Sequence, residues 1–167
     1  MKKRVQGATF EYDRSWLKNP SRFALEPALS LHPGPFHTPH GKAIFGAIGD
    51  SAPDRWGRIL MRRSARRQAK QAGKAPHSLS EIDYLLLVDD EARQGALRFA
   101  FGEGEPFLSL PEAGHIPPML ELSRLLAAAE HVIDDKDSDE ELQMLLAPGS
   151  SLGGARPKAS VRDRDGN

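Results

Sequence analysis

Cysteine is absent from this sequence, which removes disulfide bridges, thiolate nucleophiles and cysteine metal ligands together. A chain without thiols suits a reducing compartment, and the cytoplasm is the expected location. Long apolar runs are also missing. Tyr84 to Val88 is far shorter than the roughly 20 residues a bilayer-spanning helix needs, and the basic start Met1-Lys2-Lys3-Arg4 is followed by polar, strand-like residues rather than a secretory core. No membrane partner is therefore expected. Neither sign of charge is in excess, because 23 Lys and Arg balance 23 Asp and Glu. Bulk attraction to nucleic acid or lipid is not expected, although this balance says nothing about local patches. Aromatic residues are few, and Trp16 and Trp56 read as core anchors rather than stacking platforms.

What is present is ordinary for a globular chain: 28% charged and 39% hydrophobic residues over 167 positions, enough for one modest core or two small ones. Val5 to Tyr12 partly alternates and reads as a strand, with Ala28 to Leu31 as a second short one. Pro33 to His40 reads as a loop because its three prolines remove backbone donors. A helix is expected near Ile44, and Asp50-Ser51 with Pro53 reads as the cap and first-turn proline of a second, from Asp54 to about Gln71, ended by Gly73. Ser78 to Glu81 has capping-box spacing ahead of an apolar helix over 82–88. Gln94 to Phe101 alternates cleanly and is the strongest strand expectation, with Leu97, Phe99 and Phe101 on one face. Residues 102–118, rich in proline and glycine, read as a connector. Leu120, Leu122, Leu125, Leu126 and Ala129 follow at helical spacing. Ser138 to Glu141 then caps a last helix through Leu146.

That helix leads into Pro148-Gly149-Ser150-Ser151-Leu152-Gly153-Gly154-Ala155-Arg156-Pro157-Lys158, a loop whose backbone N–H groups can surround a phosphate. Gly149 and Gly154 have P-loop spacing, but Ala155 stands where that motif requires lysine. Adjacent Gly153 and Gly154 break the dinucleotide-binding spacing. On local grounds a glycine-rich turn between a helix and a hairpin explains the same residues. A basic stretch is the rival signal. Arg55, Arg58, Arg62, Arg63, Arg66, Arg67, Lys70 and Lys74 lie within twenty residues that contain no acid. Arg55, Arg58, Arg62, Arg66 and Lys70 share one broad face, while Trp56, Ile59 and Leu60 mark the core side, and Arg58, Arg62, Arg66 and Lys70 form a candidate nucleic-acid contact. The alternative is a solvated face paired with Asp54, Asp89, Asp90 or the acidic 134–141 segment. His32, His37 and His40 lie in a proline-rich loop that does not hold them on one face, so no metal site is expected there.

Three blocks together resemble the HipA family of bacterial toxin serine/threonine kinases. They are Phe45 to Leu60, containing Asp50-Ser51 and Asp54-Arg55; Asp83 to Phe99, an apolar helix, an aspartate turn and Gly95-Ala96-Leu97; and Ser151 to Lys158, which is similar to an S-x-x-G-A-x-x-K loop. Gly49 departs from the proline that many members carry before the Asp-Ser pair. The resemblance implies an α+β chain with a β-rich N-terminal module containing inserted helices over 1–101, the connector 102–118, and over 119–167 helices, the loop and the first strand of an incomplete kinase N-lobe. It implies a nucleotide-binding loop formed by Ser151, Gly153, Gly154, Ala155, Arg156 and Lys158, with Ser151, and Ser150 beside it, as autophosphorylation candidates. The ATP-anchoring lysine, the catalytic aspartate and the metal-binding aspartate are expected beyond Asn167, so no catalytic residue is assigned within this chain and the chain alone is expected to be inactive. ATP and magnesium are the implied cofactors of the whole kinase, with neither held tightly by this portion. Implied partners are a HipB-like helix-turn-helix antitoxin, the remaining C-terminal kinase region, operator DNA through the antitoxin, and a protein substrate, suggested to be an aminoacyl-tRNA synthetase. Two other readings stay open: a non-catalytic module like the small subunit of split relatives, and a basic-helix nucleic-acid-binding domain.

Overall fold

A computed structural model describes residues 7–90, 92–108, 121–149, 154, 156–158 and 161. Among the described residues the fold is α+β, mostly helical with one small antiparallel sheet. It divides into two compact units, residues 1–50 and 51–167.

In the first unit, β1 (Thr9–Phe10) pairs with β2 (Phe36–His37), placing Thr9 opposite His37 and Phe10 opposite Phe36. The stretch expected to be only a loop thus contributes a strand, kept short because Pro35 and Pro39 cannot donate to a ladder. Thr38 extends the pairing by donating its N–H to the Ala8 carbonyl at 3.1 Å and accepting the Ala8 N–H at Oγ1. Gly7 is required beside it, since a Cβ there would stand 2.6 Å from that hydroxyl oxygen. Tyr12, Leu29 and Phe45 form the core, flanked by Trp16 and Phe36. Ala28 to Leu31 is a turn, not the expected strand. Its apolar side chain is buried by another route: the Tyr12 hydroxyl donates to the Leu29 carbonyl at 2.8 Å and accepts the Leu25 N–H at 3.0 Å, so one phenol satisfies the turn's backbone. Two short helices complete this unit, α1 (Arg14–Lys18) and α2 (Gly46–Gly49).

The second unit is built on α3 (Arg55–Gln71). Its cap is Asp54, whose carboxylate accepts the Gly57 N–H at 2.7 Å; the expected cap, Asp50-Ser51, lies too early because Asp50 closes α2 instead. At the other end Gly73, at φ +64°, closes a left-handed C-terminal motif, with the Lys74 N–H on the Ala69 carbonyl at 2.8 Å. The helix buries Trp56, Leu60 and Met61. α6 (Asp139–Gly149) packs against it and α5 (Leu122–Ile133) against α6, and with α4 (Glu81–Leu86) they share one apolar core through Tyr84, Leu125, Val132, Leu142 and Leu145. The capping box of α4 belongs to Ser80 and Asp83, two residues later than the Ser78–Glu81 spacing suggested. That of α6 is the expected one: Ser138 and Glu141 exchange side-chain and backbone bonds at 3.1 and 2.7 Å. The helix then runs to Gly149, beyond the expected end at Leu146.

Gln94 to Phe101 is not a strand among the described residues. The Phe99 carbonyl takes one bond from the Leu108 N–H at 2.8 Å, and no ladder follows. Its alternating side chains serve cations instead: Phe99 lies under the Arg93 guanidinium and Phe107 under that of Arg98, at 4.5 and 3.8 Å from the ring centres. Phe101 remains 77% exposed.

Between α5 and α6 a buried carboxylate ties the unit together. The Asp137 side chain is 1% exposed and receives Arg63 Nη1 at 2.5 Å and Arg67 Nη2 at 2.8 Å, while Arg67 Nη2 also donates to the Asp137 carbonyl at 2.6 Å. Asp135, two residues earlier, occupies the left-handed position (φ 62°) of the motif closing α5, where the Lys136 N–H reaches the His131 carbonyl at 2.9 Å.

Two outcomes follow for urea denaturation. Asp137→Ala leaves two partly buried guanidinium groups short of their shared acceptor and is expected to destabilise by about 2–4 kcal/mol. Asp135→Gly relieves a left-handed strain of about 1 kcal/mol and removes only an ion pair in which the Asp135 side chain is 85% exposed, while Arg63 keeps Asp137, so stability is expected to hold or rise. The carboxyls of Glu81, Asp83 and Glu141 lie below their ordinary values, the first through its hydrogen bond from Arg58, the others through backbone N–H groups at Ser80 and Ser138. Each therefore stabilises the fold above its unfolded value and loses that contribution as pH falls through the lowered one. Denaturation midpoints are expected to drop on acidification below about pH 4.5, and Glu81→Gln is expected to shallow that dependence.

Candidate functional site

Asp54 has two jobs at the start of α3. Its Oδ1 caps the helix, while Oδ2 is buried without a hydrogen bond among the described residues. The nearest cation to Oδ2 is Lys158, whose Nζ stands 3.4 Å away, within ion-pair range but off the line of a hydrogen bond. The Asp54 side chain is 8% exposed and that of Lys158 26%, so this carboxylate faces its ammonium partner with little competing water. The sequence starts the helix at Asp54 but assigns the cap to Asp50-Ser51, so only part of this arrangement is legible there. The rest comes from the glycine-rich loop.

Gly154 lies in that loop at φ +114°, a conformation other residues rarely adopt. A Cβ at this position would stand 2.7 Å from Lys158 Nζ. The ammonium therefore rests against bare backbone on one side and the Asp54 carboxylate on the other. Lys158 thus lies beside main chain that carries no side chain and beside a buried carboxylate. Gly154 and Arg156 are exposed. Ser150, Ser151, Gly153 and Ala155 lie outside the described residues, as does most of the expected first kinase strand. Among the described residues no group of three or more His, Asp or Glu is placed to hold a metal ion. His32 and His37 bond the Pro33 carbonyl and the Thr9 hydroxyl instead.

The basic face of α3 is divided by its neighbours. Arg58 grips Glu81 in a bidentate pair, both bonds 2.7 Å, with its guanidinium 4.7 Å from the Tyr84 ring centre. This hydrogen bonding holds Arg58 above its ordinary value and Glu81 below, two directions that agree. Arg63 and Arg67 turn to the acidic segment, as the paired-face reading anticipates. Arg62, Arg66 and Lys70 are exposed and have no ion pair among the described residues. Of the four proposed nucleic-acid contacts, three thus face solvent while Arg58 is committed to Glu81.

Two residues that organise this region escaped the sequence reading. Asp54 was legible as half of Asp54-Arg55 but not as the partner of Lys158. Arg93, which lies just before the expected strand and was given no role, is buried. Its guanidinium donates to the carbonyls of Ser51, Leu85 and Val88 at 2.8–3.1 Å, and burial pushes its affinity for the proton down. It ties the end of α4 to the approach to α3. No helix among the described residues is long and apolar enough to cross a membrane.

A double-mutant cycle in urea tests the loop contact. Asp54→Asn keeps the helix cap and removes the charge facing Lys158, so with Lys158→Met it is expected to give a coupling energy of about 0.5–1 kcal/mol. Strictly additive effects would show that Lys158 does not sit on Asp54 in solution. In comparisons with known proteins, no family model, no curated protein and no solved structure matches this chain.

Proposed function

We propose that this chain is the N-terminal portion of a HipA-like serine/threonine kinase, which transfers the γ-phosphate of ATP to a protein serine within a toxin–antitoxin system. The observation that supports this reading is the meeting of two motif blocks far apart in sequence. Asp54, of the Asp-Ser-x-x-Asp-Arg block, faces Lys158, the last residue of the S-x-x-G-A-x-x-K loop. Two segments chosen for their family resemblance thus share one contact, as parts of a single site would.

The residues present fit one wall of a nucleotide site. Gly154 supplies main chain that a phosphate can approach and Lys158 supplies positive charge. When bound, ATP with magnesium supplies the phosphoryl group and neutralises the charge of its transfer. Holding Lys158 on Asp54 keeps the cation placed before nucleotide arrives, which lowers the ordering cost of binding. In this reading the anchoring lysine and the two aspartates come from the remaining kinase region. Ser151 is the loop serine that receives phosphate, and its added charge of about −1.5 to −2 would draw on Arg156 and Lys158 and rearrange the loop.

The test is phosphopeptide mapping after the kinase with its C-terminal region is incubated with magnesium-ATP. Phosphate is expected on Ser151, with Ser150 as the neighbouring acceptor, and Ser151→Ala is expected to lower incorporation. Phosphate only at other positions would sink the assignment. Calorimetric titration of the 167-residue chain alone is expected to show weak or undetectable binding of magnesium-ATP. Micromolar affinity or turnover there would mean that a complete site of another kind lies within these residues.

A further inference from the structure

The C-terminal half of α3 with its C-cap presents small residues, Ala65, Ala69 and Ala72, to an open groove of about 500 Å³. Leu79, Leu86 and Leu87, from α4 and its flanks, and Phe101 also line it. Leu87 is 39% exposed and Phe101 77%, so the groove displays large apolar side chains that the unit's own core does not use. Alanine at these positions keeps the floor low enough for another chain to approach it closely.

A second, independent observation is the charge along one edge. Arg62, Arg66 and Lys70 recur every fourth residue, about 6 Å apart along the helix axis, and on the helix surface they adjoin Ala65 and Ala69. They have no ion pair among the described residues, whereas Arg58, Arg63 and Arg67 of the same helix are all engaged. Lys74 lines the groove itself. An apolar trough edged by regularly spaced, unpaired cations is complementary to a helix with apolar anchors on one face and carboxylates at matching i, i+4 and i+8 positions on its flank.

We propose that this groove docks an acidic amphipathic helix of a protein partner. The inference is independent of the kinase reading, since it uses neither the glycine-rich loop nor Asp54. Nucleic acid fits the same edge less well. Its backbone would gain the cations but leave the alanine and leucine walls uncovered, and it would bring phosphates towards Asp83, which also lines the groove.

The probe is a fluorescein-labelled synthetic peptide of about 18 residues, long enough for a helix to form, with leucines at i, i+3, i+4 and i+7 and glutamates along one flank. The control has the same composition in scrambled order. Saturable anisotropy binding of the ordered peptide to the 167-residue chain is expected, falling as salt rises. Combined Arg62→Glu and Arg66→Glu is expected to weaken it about tenfold or more. Ala69→Gln, which fills the trough without breaking the helix, and Phe101→Ser, at an exposed position, are each expected to weaken it several-fold, with circular dichroism unchanged. Absent binding, equal binding of the scrambled peptide, or loss on charge reversal with no effect of Ala69→Gln and Phe101→Ser would overturn the proposal. So would duplex DNA that binds more tightly than the peptide and competes it off.

Discussion

A single carboxylate, that of Asp137, holds the second unit in its arrangement. It is almost wholly removed from water, a state an isolated carboxylate could not occupy at acceptable cost. Arg63 and Arg67 make it tolerable, and in doing so they bring α3 to the junction of α5 and α6. The apolar contacts among these helices supply most of the driving force, but hydrophobic packing is non-directional and permits neighbouring registers. The charge cluster does not. Sliding α3 by one turn against α6 would bury the carboxylate without its partners, so the ion pairs select among packings of similar apolar area. Asp135 and Asp139 extend the cluster at its exposed rim, where ion pairs contribute little to stability.

With α3 placed, its other surfaces acquire separate roles. The N-terminus offers Asp54 as both helix cap and partner for Lys158. One flank is occupied by Glu81, which fixes α4, and the opposite flank by the acidic turn. The meridian farthest from the core retains Arg62, Arg66 and Lys70 in solvent. An unbroken basic stripe in one dimension is thus, in three, two structural clamps and one free edge. Free cations adjoining an apolar groove are a more specific feature than net basicity, because they prescribe spacing as well as charge.

Local chemistry was readable where it depended on neighbours in the chain. The span of α3 follows from its apolar periodicity and from Gly73 at its end, and the capping box of α6 follows from Ser138 and Glu141. Local competition misplaced the caps of α3 and α4 by two to four residues, and the larger errors occurred where a side chain's partner lay far away. Ala28 to Leu31 has a strand's composition, yet the Tyr12 hydroxyl satisfies its backbone as a turn. Gln94 to Phe101 has a strand's alternation, but alternation records only which side chains want cover. Here Arg93 lies over Phe99 and no second strand is supplied. Conversely, Phe36 and His37 lie among prolines and still pair, since β1 requires only two residues of ladder.

The sequence by itself determined the longer helical segments, the capping box of α6, the want of thiol chemistry and the presence of a glycine-rich loop, because each is set by intrinsic backbone preference or side-chain inventory. Tertiary structure alone decided which arginines are clamps and which are free, that Arg93 is buried on three carbonyls, and that Lys158 meets Asp54. The reason is physical. A charged side chain's role depends on the partner and the dielectric around it, and neither exists until distant segments have packed.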